Sequence, residues 1–323
     1  MPDTTPAANR PDVSIVIACY NAMRFLEATV ASALAQSDVS VEVLIIDDHS
    51  ADGSLASARE MAERDARIRV FQTSENKGPG GARNVGIENA RGTWYAMLDS
   101  DDLLAPERSA FLMAEAERLG ADMIADNLQL FGDDLTPQSY LTDPPAGDDG
   151  LISLDRYFAG TRMFGSQPNL GFLKPMIRLD RLRDGGFRYR EDLRIGEDDE
   201  LVVRLLLGGA RYGYLHKPLY HYRKHDGSIS HRLSAQNSER MLRSEDMIAK
   251  VVSEAGVSSR AYSARHSSIR DAAAFTQSVE ALKARNLPAA IAPLLQRPLA
   301  ARHYSMPIKA RLESLAVWKG NKS

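Results

Sequence analysis

From residue 13 to residue 127 the chain alternates two kinds of stretch, and this alternation limits the fold more than any other feature. VSIVIA (13–18), VEVLIID (41–47), IRVFQT (68–73), TWYAMLD (93–99) and ADMIADN (121–127) are short apolar runs rich in β-branched residues. Between them, NAMRFLEATVASALAQ (21–36), SLASAREMAERD (54–65), GARNVGIENAR (81–91) and PERSAFLMAEAERLG (106–120) read as helices. Asp52 or Ser54 is placed to cap the second helix, and Pro106 stands near the start of the fourth. Strands separated by helices of this length pair in parallel, because the crossover carries the chain back to the same edge. The expected fold class is therefore α/β, a mostly parallel central sheet flanked by helices on both faces.

The pattern changes after about residue 130. TDPPAGDDG (142–150) reads as a loop, and 151–235 mixes short strands and helices. Residues 236–302 look helical, with breaks near Gly256 and at Pro288, Pro293 and Pro298. The expected organisation is a flexible segment 1–12, a body 13–235 in two parts (13–130 and 151–235), and a basic C-terminal helical extension, 236–323.

Charge and composition narrow the function classes. With 44% hydrophobic and 26% charged residues, the 323-residue chain has an ordinary globular composition. Its one cysteine, Cys19, excludes an internal disulfide and a Cys-rich zinc site, and reads as a buried small hydrophobe. The N-terminal MPDTTPAANRPD lacks the layout of a secretory signal, and no run of 18 apolar residues occurs. The net charge of -3 is uneven: residues 260–323 hold 11 Lys/Arg against 3 Asp/Glu, and the remainder 29 against 40. An acidic body argues against nucleic acid as the main partner, while a basic tail leaves anionic surfaces open.

Ligands of open α/β sheets sit beyond the carboxyl ends of the strands. Three polar clusters lie there: ACYN (18–21), DDHS (47–50) and DSDD (99–102). Single Asp residues at strand ends commonly brace turns, the bland reading for Asp52 and an even match for Asp99. Asp101 and Asp102 together are different, because adjacent carboxylates at the rim of a buried strand repel unless a cation compensates. Mg2+ or Mn2+ held between carboxylates and substrate phosphates would do so. The usual phosphate signatures are missing: KGPGGARN (77–84) is Gly-rich but matches neither the dinucleotide nor the P-loop pattern. Tyr20 could stack on a base, Asp48 could accept from a base N–H, and Arg83 and Lys77 could meet phosphate or base. Each also has a plain structural or solvated alternative.

The stretches VSIVIACYNAMRFLEATVASAL, VEVLIIDDHSADGS, ENKGPGGARNVGIENARGTWYAMLDSDDLL, GEDDELVVRLL and YRKHDGSIS, in this order, resemble the family 2 glycosyltransferases, inverting nucleotide-sugar enzymes of the GT-A fold. The resemblance spans residues 13 to about 230 and makes 13–235 the expected GT-A catalytic domain. It implies that Ala18, Tyr20 and Asn21 line the base pocket and that Asp48 recognises uracil. It places Arg83 near base and phosphates, with Lys77 beside it. Asp101 and Asp102 would meet ribose and metal, Asp102 more firmly. Asp99 would support them, and His49 replaces a common Gly at a turn.

GEDDELVVRLLLGG (196–209) crowds four acids into one helix start, more than the helix dipole needs. The family base is the Asp of an "ED" pair six residues before an Arg, which matches Asp198 and Arg204; Asp199 is the fallback and Glu197 a positioning acid. In YHYRKHDGSIS (220–230), His225 best matches a family histidine on metal or diphosphate, with Arg223 and Lys224 near the diphosphate and His221 and His216 expected to pack. Phe164, Gln167 and Asn169 are weak candidates for an acceptor wall.

The resemblance thus implies a metal-dependent inverting transferase taking a UDP-sugar, with Mg2+ or Mn2+, to a glycan or polyprenyl-linked saccharide in surface or exopolysaccharide synthesis. The expected location is cytoplasmic. The stretch after Pro307 puts Ile308, Leu312, Leu315 and Trp318 on one helical face beside basic residues, available to the inner face of the membrane or to the body. Two alternatives stand beside this: a sugar nucleotidyltransferase, which usually carries a Gly-rich basic loop after the first strand, and an inactive glycan-binding or assembly protein on the same scaffold.

Overall fold

The computed structural model describes residues 10–133, 135–165, 167–225 and 234–305. Strands β1 (Val13–Cys19), β2 (Val41–Asp47), β3 (Ile68–Gln72) and β4 (Trp94–Asp99) alternate with helices α1 (Leu26–Leu34), α2 (Ser54–Arg64) and α3 (Gly78–Asn89). β1 pairs in parallel with β2 and β4, and β2 with β3. β2 is buried along its whole length, which the apolar run VEVLI requires. Of its two acids, Glu42 and Asp47, Glu42 lies within the apolar run and is satisfied inside: it accepts from the Ser14 hydroxyl at 2.7 Å, the Arg91 amide at 2.6 Å and the Arg69 guanidinium at 3.0 Å. α3 lies close on β1, because Gly86 has no side chain; a Cβ there would collide with Val16.

Past β4 the sheet becomes mixed. β5 (Leu103–Leu104), α4 (Arg108–Leu119), β6 (Met123–Gly132), β7 (Leu135–Ser139), α5 (Leu154–Gly160), β8 (Met176–Arg178), α6 (Leu179–Asp184), α7 (Glu197–Leu207) and β9 (Tyr212–Arg223) follow. Among the described residues the sheet order is β3-β2-β1-β4-β8-β6-β9-β5, with β7 paired to β6. β8 is antiparallel to β4 and to β6, and β6 is parallel to β9. β6 and β9 thus point the same way as β1 to β4, and the sheet is mostly parallel.

The chain steps outward from β1 to β3, then returns to the other side of β1 to lay down β4. That reversal makes a switch point between β1 and β4, and ligands of open sheets bind in the crevice at the carboxyl ends there. Ala18 sits opposite both Ile46 and Asp99, so β1, β2 and β4 end level and their polar clusters face one crevice.

The C-terminal helices are α8 (Ala235–Glu254), α9 (Arg260–Lys283), α10 (Leu287–Gln296) and a 3-10 helix, Pro298–Tyr304. The side chains of Ser234, Ser259 and Asn286 accept amide hydrogen bonds at the starts of α8, α9 and α10. Ile248 and Val252 of α8 join the main core, whereas Ala274, Phe275 and Ala300 form a second, small one. Arg265 of α9, buried, reaches Asp199 on α7, Glu245 on α8 and the Thr161 hydroxyl, tying three parts of the chain together.

Four sequence expectations need revision. α1 begins at Leu26, not at 21, because Asn21 takes φ +50° and residues 20–25 form a loop. β6 runs on to Gly132. Pro293 lies inside α10 instead of breaking it; the carbonyl it leaves without a donor belongs to Ala289, which is exposed to water. Pro11 and Asp12, assigned to the flexible segment, are tied down: Asp12 accepts from the Ser40 amide at 2.7 Å, and the Pro11 carbonyl accepts from the Thr93 amide at 3.2 Å. Residues 1–9, and the stretch with Ile308, Leu312, Leu315 and Trp318, lie outside the described residues.

Candidate active site

Two connected clusters fill the crevice. In the first, Arg83 of α3 is buried and answers three carboxylates. Its Nη2 donates to Asp99 Oδ1 at 2.7 Å, and its Nη1 donates to Glu197 Oε1 and Asp198 Oδ1, both at 2.8 Å. Lys174 completes the set, with Nζ 2.8 Å from Asp99 Oδ2 and 3.5 Å from Asp198 Oδ2. Two cations and three carboxylates out of water hold one another in place; loss of either cation would strand a buried charge. Burial alone would raise the Asp99 carboxyl, but Lys174 and then Arg83 overcome it and hold the group well below the usual carboxylate range. Burial and the neighbouring Asp198 push Glu197 up.

This cluster corrects one expectation. Arg83, assigned to base and phosphates, has both terminal nitrogens committed to carboxylates. It acts as the internal counter-charge that the crowded acids require. Lys174 was not anticipated. In FLKPMIR it is one lysine between apolar neighbours, and only its partners 24 and 75 positions away reveal its role.

The second cluster adjoins the first through Tyr220, whose hydroxyl accepts from the Asp99 amide at 3.1 Å and donates to Asp102 Oδ2 at 2.8 Å. Asp102 Oδ1 accepts from the Arg223 amide at 2.7 Å. Asp102 is 1% exposed, and burial, with Asp99 and Asp101 nearby, drives its carboxyl well above the ordinary value. Asp101 is the reachable one. Its side chain is 32% exposed, and Oδ2 lies 2.9 Å from His225 Nε2. Asp102, expected as the firmer metal ligand, braces the turn from inside, while Asp101, paired with His225, is the more accessible of the two acids. Arg223 belongs to the brace as well. Its Nε donates to the Asp101 carbonyl at 2.6 Å, and its guanidinium lies 4.7 Å from the Phe25 ring centre and 4.5 Å from that of Phe131. The Lys224 amide donates to the Phe131 carbonyl at 2.7 Å.

A half-buried carboxylate beside an imidazole is a donor pair suited to Mn2+ or Mg2+ when substrate phosphates complete the shell. Among the described residues no three His, Cys, Asp or Glu side chains converge as a complete cage. The residues fit a cation shared with a ligand, and Asp101 and His225 would hold it.

At the β2 end, Asp48 is nearly buried and organises the turn into α3. Its carboxylate accepts from the Lys77 amide at 2.8 Å, the Gly78 amide at 2.7 Å and the Thr73 hydroxyl at 3.0 Å. The Asn21 side chain accepts from the Ala51 amide at 2.8 Å, and its own amide donates to the Ser50 hydroxyl at 3.0 Å, which joins the loops after β1 and β2. His49 takes φ +63°, consistent with a turn position that favours Gly. Tyr20, 53% exposed beside these loops, presents its ring to solvent at the mouth. Lys77 Nζ lies 3.7 Å from Glu191, and Arg194 donates to the side chain and carbonyl of Asn76, so the 190–194 loop straps the start of α3. The N-cap of α2 is Gly53, not Asp52 or Ser54; Asp52 stands one residue earlier and its Oδ1 accepts from the Ser54 amide at 2.9 Å, bracing the turn into the helix.

Other named residues stay outside the clusters. Asp199, the fallback base, is held by Arg265. Phe164 packs on Phe275 and His303 rather than lining a wall. Asn169 Oδ1 accepts from the Gly171 amide at 2.8 Å in a short 3-10 turn, and Gln167 is exposed. His221 and His216 lie against the rings of Phe131 and Tyr214.

A family profile described as "Glycosyl transferase family 2" matches residues 14–178. The succinoglycan biosynthesis protein ExoO of Rhizobium meliloti (strain 1021) is 36% identical over 313 residues, covering 97% of this chain and 89% of that protein. Among solved structures, S. aureus TarS 1–349 in complex with UDP-GlcNAc superposes with a TM-score of 0.58 at 18% identity, covering 86% of this chain and 89% of that one. The mannosyltransferase PcManGT from Pyrobaculum calidifontis, in complex with GDP-Man and Mn2+, gives 0.57 at 18% identity, covering 98% and 83%. At such identities the structural likeness is one of fold.

Proposed function

The chain belongs to glycosyl transferase family 2, and from that premise we propose that it moves a sugar from a UDP-sugar to a saccharide acceptor, with inversion, in the assembly of a surface or extracellular polysaccharide. The ExoO relative, named for succinoglycan biosynthesis, supports the pathway class. The fold shared with a UDP-GlcNAc complex supports the donor class.

In this reading the base sits between Ala18, Tyr20, Asn21 and Asp48, with Lys77 at the rim, and Tyr20 supplies a stacking face. The diphosphate reaches Asp101 and His225, where a bound Mg2+ or Mn2+ would neutralise charge developing on the leaving group. Asp198 accepts the proton of the acceptor hydroxyl, whose oxygen attacks the anomeric carbon. The bond from that carbon to the diphosphate oxygen breaks, and its electron pair leaves with UDP. Attack from the opposite face turns an α-linked donor into a β-linked product. Arg83 fixes one oxygen of Asp198 at 2.8 Å, while Lys174 stands farther off the other, at 3.5 Å. That arrangement orients the carboxylate and leaves Oδ2 the less committed atom.

The observation that carries the reading is the sharing of Arg83 and Lys174 between Asp198 and Asp99, which makes the base and the β4 acid motif one unit. A screen of UDP-sugars with Mg2+ and Mn2+, read as donor hydrolysis and transfer, tests it. Asp198→Asn should bind UDP as the wild type does and lose about 10²- to 10⁴-fold in turnover. Undiminished turnover would move the base elsewhere, and no turnover by the wild type with any nucleotide sugar would favour the inactive-scaffold reading. We further propose a polyprenyl-linked saccharide as acceptor and a cytoplasmic enzyme that meets the inner face of the membrane through its basic C-terminus.

A further inference from the structure

α10 is built inside out for a helix on a soluble protein. Its inward face is small: Ala290 is buried, and Ser278 of α9 clamps it by donating to the Ala290 carbonyl at 2.5 Å. Its outward face is large and aliphatic. Leu287, Ile291 and Leu295 recur every fourth residue on one side, exposed by 62%, 53% and 75%, and Leu299 of the following 3-10 helix is exposed by 63%. Isolated exposed leucines need no explanation, but a contiguous aliphatic stripe of this length marks a contact surface.

The surrounding charge selects the occupant. Residues 281–305 contain Lys283, Arg285, Arg297 and Arg302 and no Asp or Glu. Lys283 and Arg285 are exposed just before the stripe begins. Near its other end Arg297 and Arg302 share a single carboxylate, Asp271, at 2.7 and 3.6 Å. Both ends are therefore positive. A second copy pairing stripe to stripe would set cation against cation in either direction. A surface that offers hydrocarbon beneath a negative layer satisfies both features.

We infer that the Leu287–Leu299 face lies on an anionic lipid surface, with the aliphatic stripe inserted at the headgroup boundary and the exposed Lys283 and Arg285 against the headgroups. No described helix is long and apolar enough to cross a membrane, so this is a helix lying in the plane of the surface. The inference rests on the membrane contact proposed above and moves it from the tail to α10 and its extension. It is independent of the transfer chemistry.

Co-sedimentation of the full chain with vesicles tests it, comparing phosphatidylcholine alone with phosphatidylcholine containing about one-third phosphatidylglycerol. The wild type should bind the anionic vesicles and release them in about 1 M salt. The triple variant Leu287→Gln, Ile291→Gln, Leu295→Gln should bind at least about tenfold more weakly. Lys283→Glu with Arg285→Glu should weaken binding without touching the apolar face. UDP affinity, unchanged in both, checks that they are folded. A tail variant, Leu312→Gln, Leu315→Gln, Trp318→Gln, should bind as the wild type does. Full binding by the stripe variant with loss in the tail variant would overturn the inference while leaving the broader membrane reading in place. No binding by the wild type would overturn both. A wild-type dimer that the stripe variant converts to monomer would assign the face to a second copy and overturn it too.

Discussion

At the residue scale the account turns on how crowded acids are neutralised. Charge crowding pointed to the DSDD acids and to the four acids Glu197–Glu200, because like charges packed so densely demand a partner, and the family resemblance picked Asp198 from those four. It could not find Lys174 or Tyr220, whose contacts span 24 to 121 positions and leave no local pattern. Lys174→Met should therefore destabilise the fold by about 3–5 kcal/mol, since Asp99 and Asp198 would keep buried charge with one cation fewer. Denaturant unfolding at pH 7 measures this, and a loss below about 1 kcal/mol would mean Arg83 suffices alone. Cys19 gives a cleaner titration. Burial pushes its thiol up to about 11, so the folded state keeps a proton that the unfolded chain releases earlier. The unfolded state then binds fewer protons, and stability falls as pH rises from about 9 towards 11, by about 1.4 kcal/mol per pH unit. The difference in unfolding free energy between wild type and Cys19→Ala should show that slope. A flat difference would place the thiol in contact with water.

At the element scale the strands were legible and the helix ends less so. β2 spans the expected residues 41–47, because a strand buried on both faces is marked by a mostly apolar run. α1 begins five residues late for a reason no periodicity carries: the loop after β1 turns through Asn21 to meet the loop after β2. α10 absorbs Pro293 where the freed carbonyl meets water. The tight α3–β1 contact gives an element-level prediction. Gly86→Ala should cost about 1–3 kcal/mol through collision with Val16, although alanine favours a helix. Val16→Ala in the same chain should recover part of that loss. Additive losses in the double variant would show that the strain lies elsewhere.

At the scale of the whole molecule, a GT-A fold places its crevice where the sheet order reverses, and level strand ends gather residues remote in sequence into one site. The C-terminal helices join this body through Ile248 and Val252 in the main core and through the buried guanidinium of Arg265. Arg265→Met should destabilise the chain by about 3–5 kcal/mol, because Asp199 and the buried Glu245 both lose their cation and Glu245 keeps only the His266 imidazole. A variant unfolding in two separated steps would show that the extension is an independent unit. Where sequence patterns failed, they failed at long-range charge pairing, and it was burial that ranked Asp101 above Asp102 for the crevice.

We propose a division of labour in that crevice, in which Asp101 and His225 would meet the cation and diphosphate and Asp198 would take the acceptor proton. Calorimetric titration of UDP with and without Mn2+ tests it in one series. The account predicts that Asp198→Asn keeps wild-type affinity and its Mn2+ dependence, while Asp101→Ala loses the Mn2+-dependent part. Full Mn2+-dependent affinity in Asp101→Ala, or its loss in Asp198→Asn, would contradict the account.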